Sequence, residues 1–430
     1  MTLAFLQKTL VKETFVYTLT DVIGKAMSFI LLPIVSYFLP PSELGIATNF
    51  TVLTTLISLL AGLAIVNSIP YFFYEQDKDE NIGLISNLLM LCLGLSVVVG
   101  AIAVCFSQQI NDHLQLDLHI QLLGVVFVIA SMVSNINLTL LRLENNPKHF
   151  AMLQILQIVL HAVLVVLFVI VLRGGGAGKI YAEVMVFCIV GLIHLTMLLK
   201  KGYVRLHLQM AWMRKLLHFG VPLLPHSISF WLKSGMDKVF ITTYCGLQFN
   251  GLYSMAISVS SVYTMLMQSF FNAYTPYLQK RLASFDGGGE EVKSEKRAIV
   301  KQIYLIYALF GVVGFLAIAA SWVIFHYLID AKYLPAMSFI PLIILANFIY
   351  TFYSFTIEFI YKVKKTMVMG IITFTGSLIQ MLLSYVLIRE YGVMGAVYSL
   401  VIGNTLITIG ISVYSNMVYR MPWLCGLRPE

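Results

Sequence analysis

The sequence predicts an all-α integral membrane protein: twelve transmembrane helices in two pseudo-symmetric six-helix bundles with a central cavity. Three observations carry this expectation. Of 430 residues, 59% are hydrophobic and only 11% charged, against roughly 25% charged in soluble domains, and the mean hydropathy is +0.87. Twelve apolar runs are long enough to cross a bilayer. The second half of the chain also repeats landmarks of the first.

A helix needs about 20 apolar residues to span the hydrocarbon core. Runs of that length lie at about 15–39, 45–73, 83–107, 117–141, 150–172, 178–199, 216–243, 251–278, 300–328, 336–360, 366–388 and 394–419. Lys8 and Lys12 precede the first run as they would a signal sequence. The run is too long for a secretory apolar region and reaches Pro40 without an A-x-A-like site, so it is expected to be retained.

At an offset of 206 residues, Gly45 meets Gly251 and Pro70-Tyr71 meets Pro276-Tyr277. At an offset of 217, Gly175, Gly178 and Tyr181 meet Gly392, Gly395 and Tyr398. The expected organisation is a six-helix lobe over residues 1–200, a basic cytoplasmic linker over 201–215, and a second six-helix lobe over 216–430. Six being even, the halves would be parallel repeats with a substrate path between them. The stretch from Ala283 to Lys296, with Gly287–Gly289, reads as a flexible loop.

The net charge of +8 does not point to nucleic acid, because of where the cations fall. Of 28 Lys and Arg residues, 21 lie in the connections and termini on one face of the predicted topology. By the positive-inside rule both termini are cytoplasmic. The basic linker also suits anionic lipid headgroups. The five cysteines, Cys92, Cys105, Cys188, Cys245 and Cys425, have no paired spacing and are expected to pack as small apolar side chains, with no metal site. No Walker A, G-x-S-x-G, H-E-x-x-H or C-x-x-C signature occurs. Neither an enzyme nor a cofactor is expected. Uphill transport would draw on H+ or Na+, on a lipid gradient, or on consumption of the product.

The candidate functional residues are the charges placed inside spans, which cost roughly 2.5 to 3.5 kcal/mol each and therefore face a bundle interior or a wet path. Phe219–Phe240 is the richest stretch, with His226, Lys233, Asp237 and Lys238 among apolar residues. Pro222 and Pro225 remove two backbone donors and predict a bent, cavity-lining helix. Asp21 and Lys25 stand one turn apart on the first span, the spacing of an intrahelical ion pair. Glu183 and Glu358 are single acids in the sixth and tenth spans, readable as proton or sodium sites or as paired structural acids. Arg142 with Glu144 marks the end of the fourth span or admits an anionic headgroup. Lys238 either faces the cavity or snorkels to the interface, and His226 either titrates near neutrality or is held by a structural hydrogen bond.

FGVPLLPHSISFWLKSGMDKVFI (219–241), GLYSMA (251–256), LLPIVSYFLPPSELGI (31–46) and YGVMGAVYS (391–399) resemble segments of the Wzx-like polysaccharide or O-antigen flippases. These are oligosaccharide-lipid exporters of the multidrug/oligosaccharidyl-lipid/polysaccharide superfamily. The resemblance implies movement of an undecaprenyl-pyrophosphate-linked oligosaccharide repeat unit from the cytoplasmic to the periplasmic leaflet of a bacterial inner membrane, for O-antigen or a related surface polysaccharide. It implies cavity cations that meet the pyrophosphate, for which Lys25 and Lys233 stand first, then Lys238 and Arg142. It implies a polysaccharide polymerase and a chain-length regulator as partners. The related peptidoglycan-precursor flippases typically carry fourteen spans and an arginine-rich cavity, which speaks against a cell-wall precursor here. A multidrug or cation antiporter of the same superfamily, using Asp21 and Asp237, is the alternative. A membrane polymerase or ligase would need a large outer loop, and no predicted outer connection exceeds about 20 residues.

Overall fold

The computed structural model describes residues 3–75, 77–205, 207–283 and 290–423, with side chains from residue 16 onward except those of Asp21, Lys78, Glu290 and Glu291. The side chain of Asp21, the Gly287–Gly289 loop, Cys425, Arg428 and the side chains of Lys8 and Lys12 lie outside the described residues.

Twelve long helices follow one another: α1 (Leu3–Phe38), α2 (Pro41–Gly62), α3 (Lys78–Cys105), α4 (Leu118–Leu143), α5 (Pro147–Val165), α6 (Gly175–Lys200), α7 (Leu224–Cys245), α8 (Leu247–Ala283), α9 (Glu290–Tyr327), α10 (Ile340–Lys362), α11 (Thr366–Tyr391) and α12 (Val393–Val418). Among the described residues no strand occurs. Ten of the twelve contain a continuous window apolar enough to cross a membrane; α7 and α8 do not. The reason is compositional. Helix α7 holds His226, Lys233, Asp237 and Lys238, and α8 opens with Asn250 and a run of serines, so these two helices spend apolar length on polar groups.

The second predicted span needs correction. Helix α2 stops at Gly62, Leu63 and Ala64 take φ of 43° and 55°, and a 3-10 turn at Ile65–Ser68 leads into a short helix at Ile69–Phe73. Left-handed backbone costs an L-residue roughly 1–2 kcal/mol, so the break is a built feature. The bend expected near Pro222 is present as a 3-10 turn at Val221–Leu223, where proline withholds the donors a continuous helix would need.

The helices gather into two compact units, one of residues 1–231 with 246–251 and the other of 232–245 with 252–430. In the first unit α4 packs along α6, α1 along α5, and α2 against α3, α4 and α6. Buried Asn137 of α4 donates to Nδ1 of His194 on α6 at 2.7 Å. Glu43 in the first turn of α2 accepts from the backbone N of Gly176 at 3.1 Å, placing a carboxylate at the positive end of α6. In the second unit α12 lies between α10 and α11. Its Asn404 and Ser415 donate to the carbonyls of Ala346 and Thr356 at 2.9 and 2.8 Å, polar glue of the kind that holds helices together in lipid.

The glycine pairs that align in sequence do matching work in space. Gly175 and Gly392 open α6 and α12 with φ of 59° and 58°. A Cβ on Gly45 would overlap the carbonyl oxygen of Leu247, and one on Gly251 would overlap that of Pro41. Each glycine of this second pair thus meets the residue four before the other, and the first turns of α2 and α8 cross at backbone contact. Beside the crossing, Asn250 donates to Asn49 at 2.7 Å.

The basic segment after α6 is docked on the first unit. Ser86 of α3 donates to the carbonyl of Tyr203 and accepts from the N–H of Arg205, both at 2.8 Å, and Asn87 accepts from the N–H of Gln209 at 2.8 Å. A helix at Met210–Gly220 then buries Trp212 and Leu216, and Lys215 lies 4.5 Å from the Phe72 ring centroid and 4.8 Å from that of Trp212. Glu144 receives Lys201 and the Tyr203 hydroxyl. Burial and the Glu144 carboxylate push the Tyr203 phenol up to about 12, so it remains a donor.

Candidate functional site

On α7 the embedded charges separate. The ammonium of Lys233 sits 3.9 Å from the centroid of the Tyr350 ring on α10, a cation–π contact. No carboxylate among the described residues lies within ion-pair distance of it. Asp237, one turn on, is 7% exposed and turns elsewhere. It accepts from the Tyr253 hydroxyl at 2.6 Å and from the N–H of Lys238 at 2.8 Å. Helical spacing alone would have paired Lys233 with Asp237; the tyrosine of α8 claims the acid and leaves the lysine to an aromatic face. Lys238 donates to the carbonyl of Ser234 on its own helix at 2.9 Å, and exposed His226 packs edge-on to Phe230 at 5.1 Å.

The other candidates lie apart. Lys25 is exposed on α1, nine residues beyond Val16, or roughly 14 Å along the helix. Arg142, at the last turn of α4, lies 4.6 Å from the Phe150 ring centroid. Glu358 of α10 is 5% exposed and fully engaged. It accepts from Thr275 at 2.9 Å and from Gln279 at 2.7 Å.

Glu183 behaves differently, because it lines a cavity of about 750 Å3 inside the first unit. The walls are hydroxyls and amides. Helix α2 contributes Thr51, Thr54, Thr55 and Ser58; α4 contributes Ser131, Ser134, Asn135 and Thr139; α5 adds Gln154 and Gln157. The broken end of α2 brings Ala64 and Asn67 to the wall, and α7 adds Ser227. Among the described residues the lining contains no lysine or arginine, and Oε2 of Glu183 is buried without a hydrogen-bond partner. His161 of α5 is within electrostatic reach of Glu183 and Lys179. Reading single charges missed this cavity. The legible signal was uncharged: polar residues at i, i+3, i+4 and i+7 on α2 and i, i+3, i+4 and i+8 on α4, a stripe at helical period within otherwise apolar helices.

A twelve-helix, two-lobe bundle with embedded charges and a polar cavity in its first unit defines a multi-pass membrane protein. The profile described as "Polysaccharide biosynthesis protein" matches residues 10–281, more than half of the chain, and the chain belongs to that family. The Lsg locus putative protein 1 of Haemophilus influenzae is 22% identical over 308 residues, 70% of each chain. Among solved structures, the inward-facing conformation of a multidrug resistance MATE family transporter of the MOP superfamily superposes with a TM-score of 0.69 at 16% identity, covering 91% of this chain and 94% of that one. The lipid II flippase MurJ, in an inward closed conformation, gives 0.67 at 12% identity over 94% and 87%. At such identities the likeness is one of fold.

Proposed function

We propose that this protein is a flippase that carries an undecaprenyl-pyrophosphate-linked oligosaccharide repeat unit, of O-antigen or a related surface polysaccharide, from the cytoplasmic to the periplasmic leaflet of a bacterial inner membrane. Family membership and the fold support a transporter in polysaccharide synthesis. The observation that carries the substrate is Lys233: a cation nine residues into α7, roughly 14 Å along it, balanced by a tyrosine ring and, among the described residues, by no acid. A diphosphate stripped of water faces a penalty of tens of kcal/mol, and a lysine without an ion pair has a charge to offer it. Lysine binds as a point charge without a fixed fork geometry, which suits a headgroup that must be released. Lys25 is the second cation of this reading, with Lys238 and Arg142 in lesser roles. The isoprenoid stays in lipid, and the movement is alternating access.

Lys233→Ala should cut surface display of the host polysaccharide at least tenfold with normal protein level in the membrane, while Lys233→Arg keeps a substantial part of it. Quantitative blotting of surface polysaccharide against membrane protein level reads this out. Wild-type display in Lys233→Ala and Lys25→Ala alike refutes the role of charge.

A further inference from the structure

The Lys233 contact accounts for a diphosphate and leaves the cavity of the first unit without an occupant. At about 750 Å3 it falls within the roughly 300–1,000 Å3 of small-molecule sites. At about 30 Å3 per water, it far exceeds what a proton or a bare cation needs. Its hydroxyl and amide side chains each donate and accept, as do the vicinal hydroxyls of a sugar. Phe127 and Phe187, whose ring centroids lie 4.6 Å apart, edge to face, also line it, and an aromatic surface complements the C–H face of a pyranose. Glu183 is acceptor-only when ionised, and it stands in the cavity wall among these amides and hydroxyls. With no lysine or arginine in the described lining, a diphosphate entering it would lose water without gaining a counter-charge.

We infer that this cavity is a carbohydrate subsite that takes uncharged sugars of the lipid-linked substrate, with Asn135, Gln157 and Glu183 as its polar readers and Phe127 and Phe187 as its apolar floor. The inference rests on the flippase reading above and divides the substrate chemically. Sugars go to amides and hydroxyls in the N-terminal unit, whose described lining offers the diphosphate no cation.

The test uses the full-length protein in lipid nanodiscs. The probe is the host's own repeat-unit oligosaccharide, released from its carrier by mild acid and tritium-labelled at its reducing end, in equilibrium dialysis. Saturable binding is expected, undisturbed by millimolar inorganic pyrophosphate. Glu183→Gln and Gln157→Ala should each weaken it at least tenfold with unchanged thermal unfolding, and Asn135→Ala serves if either variant misfolds. The inference is overturned if the oligosaccharide does not bind saturably, if properly folded variants bind as the wild type does, or if pyrophosphate displaces it. Glu183-dependent binding of tetraphenylphosphonium in place of the sugar also overturns it and marks an organic-cation site. Failure here with display still dependent on Lys233 removes the subsite and leaves the flippase. Sugar binding without that dependence keeps the subsite and removes the charge role of Lys233.

Discussion

Helices α2 and α8 are repeat equivalents, yet the same point along them was used in opposite ways. Helix α2 breaks after Gly62, and Ala64 and Asn67 turn into the wall of a polar cavity. Helix α8 runs unbroken through the corresponding residues, Gln268 to Phe270, into a cluster of rings. There Phe271 stacks with Phe310 and meets Phe355 at 4.8 Å, and Tyr274 meets Phe355 at 5.6 Å. The acids follow suit: Glu183 stands in the cavity wall with one buried oxygen unpartnered, while Glu358 is closed by Thr275 and Gln279. A duplicated topology fixes where helices run, and side chains then decide whether the interior is kept open for binding or filled for stability.

The largest effect expected from this contrast is at the rings. Phe271→Ala should lower stability by about 3–5 kcal/mol, the usual cost of emptying a buried phenyl site, read as a fall in unfolding temperature in detergent. Asn135→Ala in the open cavity should leave that temperature within error, and equal losses at both would break the comparison. Next come the acids. Glu358→Ala strands two donors and should cost about 1–3 kcal/mol, whereas Glu183→Ala should cost nothing measurable; a matching loss at Glu183 would mean that it, too, is structural. Tyr253→Phe removes one of two donors to buried Asp237 and should cost about 1–2 kcal/mol, with surface display falling only as far as protein level falls. The smallest effect is a gain. Ala64→Gly relieves left-handed strain and should stabilise by at most about 1 kcal/mol, seen as a slight rise in unfolding temperature.

Much of this architecture was legible before any coordinates, because hydropathy in a membrane chain is close to a direct reading of helix position. The fourth predicted span, 117–141, is found at Leu118–Leu143, and the twelfth, 394–419, at Val393–Val418. The paired glycines were legible as repeat landmarks, and the structure adds what they do: Gly175 and Gly392 open α6 and α12 in left-handed backbone, and Gly45 and Gly251 let α2 and α8 cross. What escaped was set by partners distant in sequence. Nothing near Gly62 signals that α2 must stop, since the break packs against Gly220, where any Cβ would overlap the carbonyl oxygen of Leu63. Nothing near Asp237 reveals Tyr253 as its donor. Reading the chain for charge also drew attention to lysines and away from the hydroxyl and amide stripes that line the cavity.

The reciprocal meeting of Gly45 with Leu247 and of Gly251 with Pro41 is a self-complementary contact, of the kind identical subunits share across a dyad. Because both glycines stand on one chain, the need for a missing side chain falls on two positions at once, and a side chain at either one is enough to force the two helix starts apart.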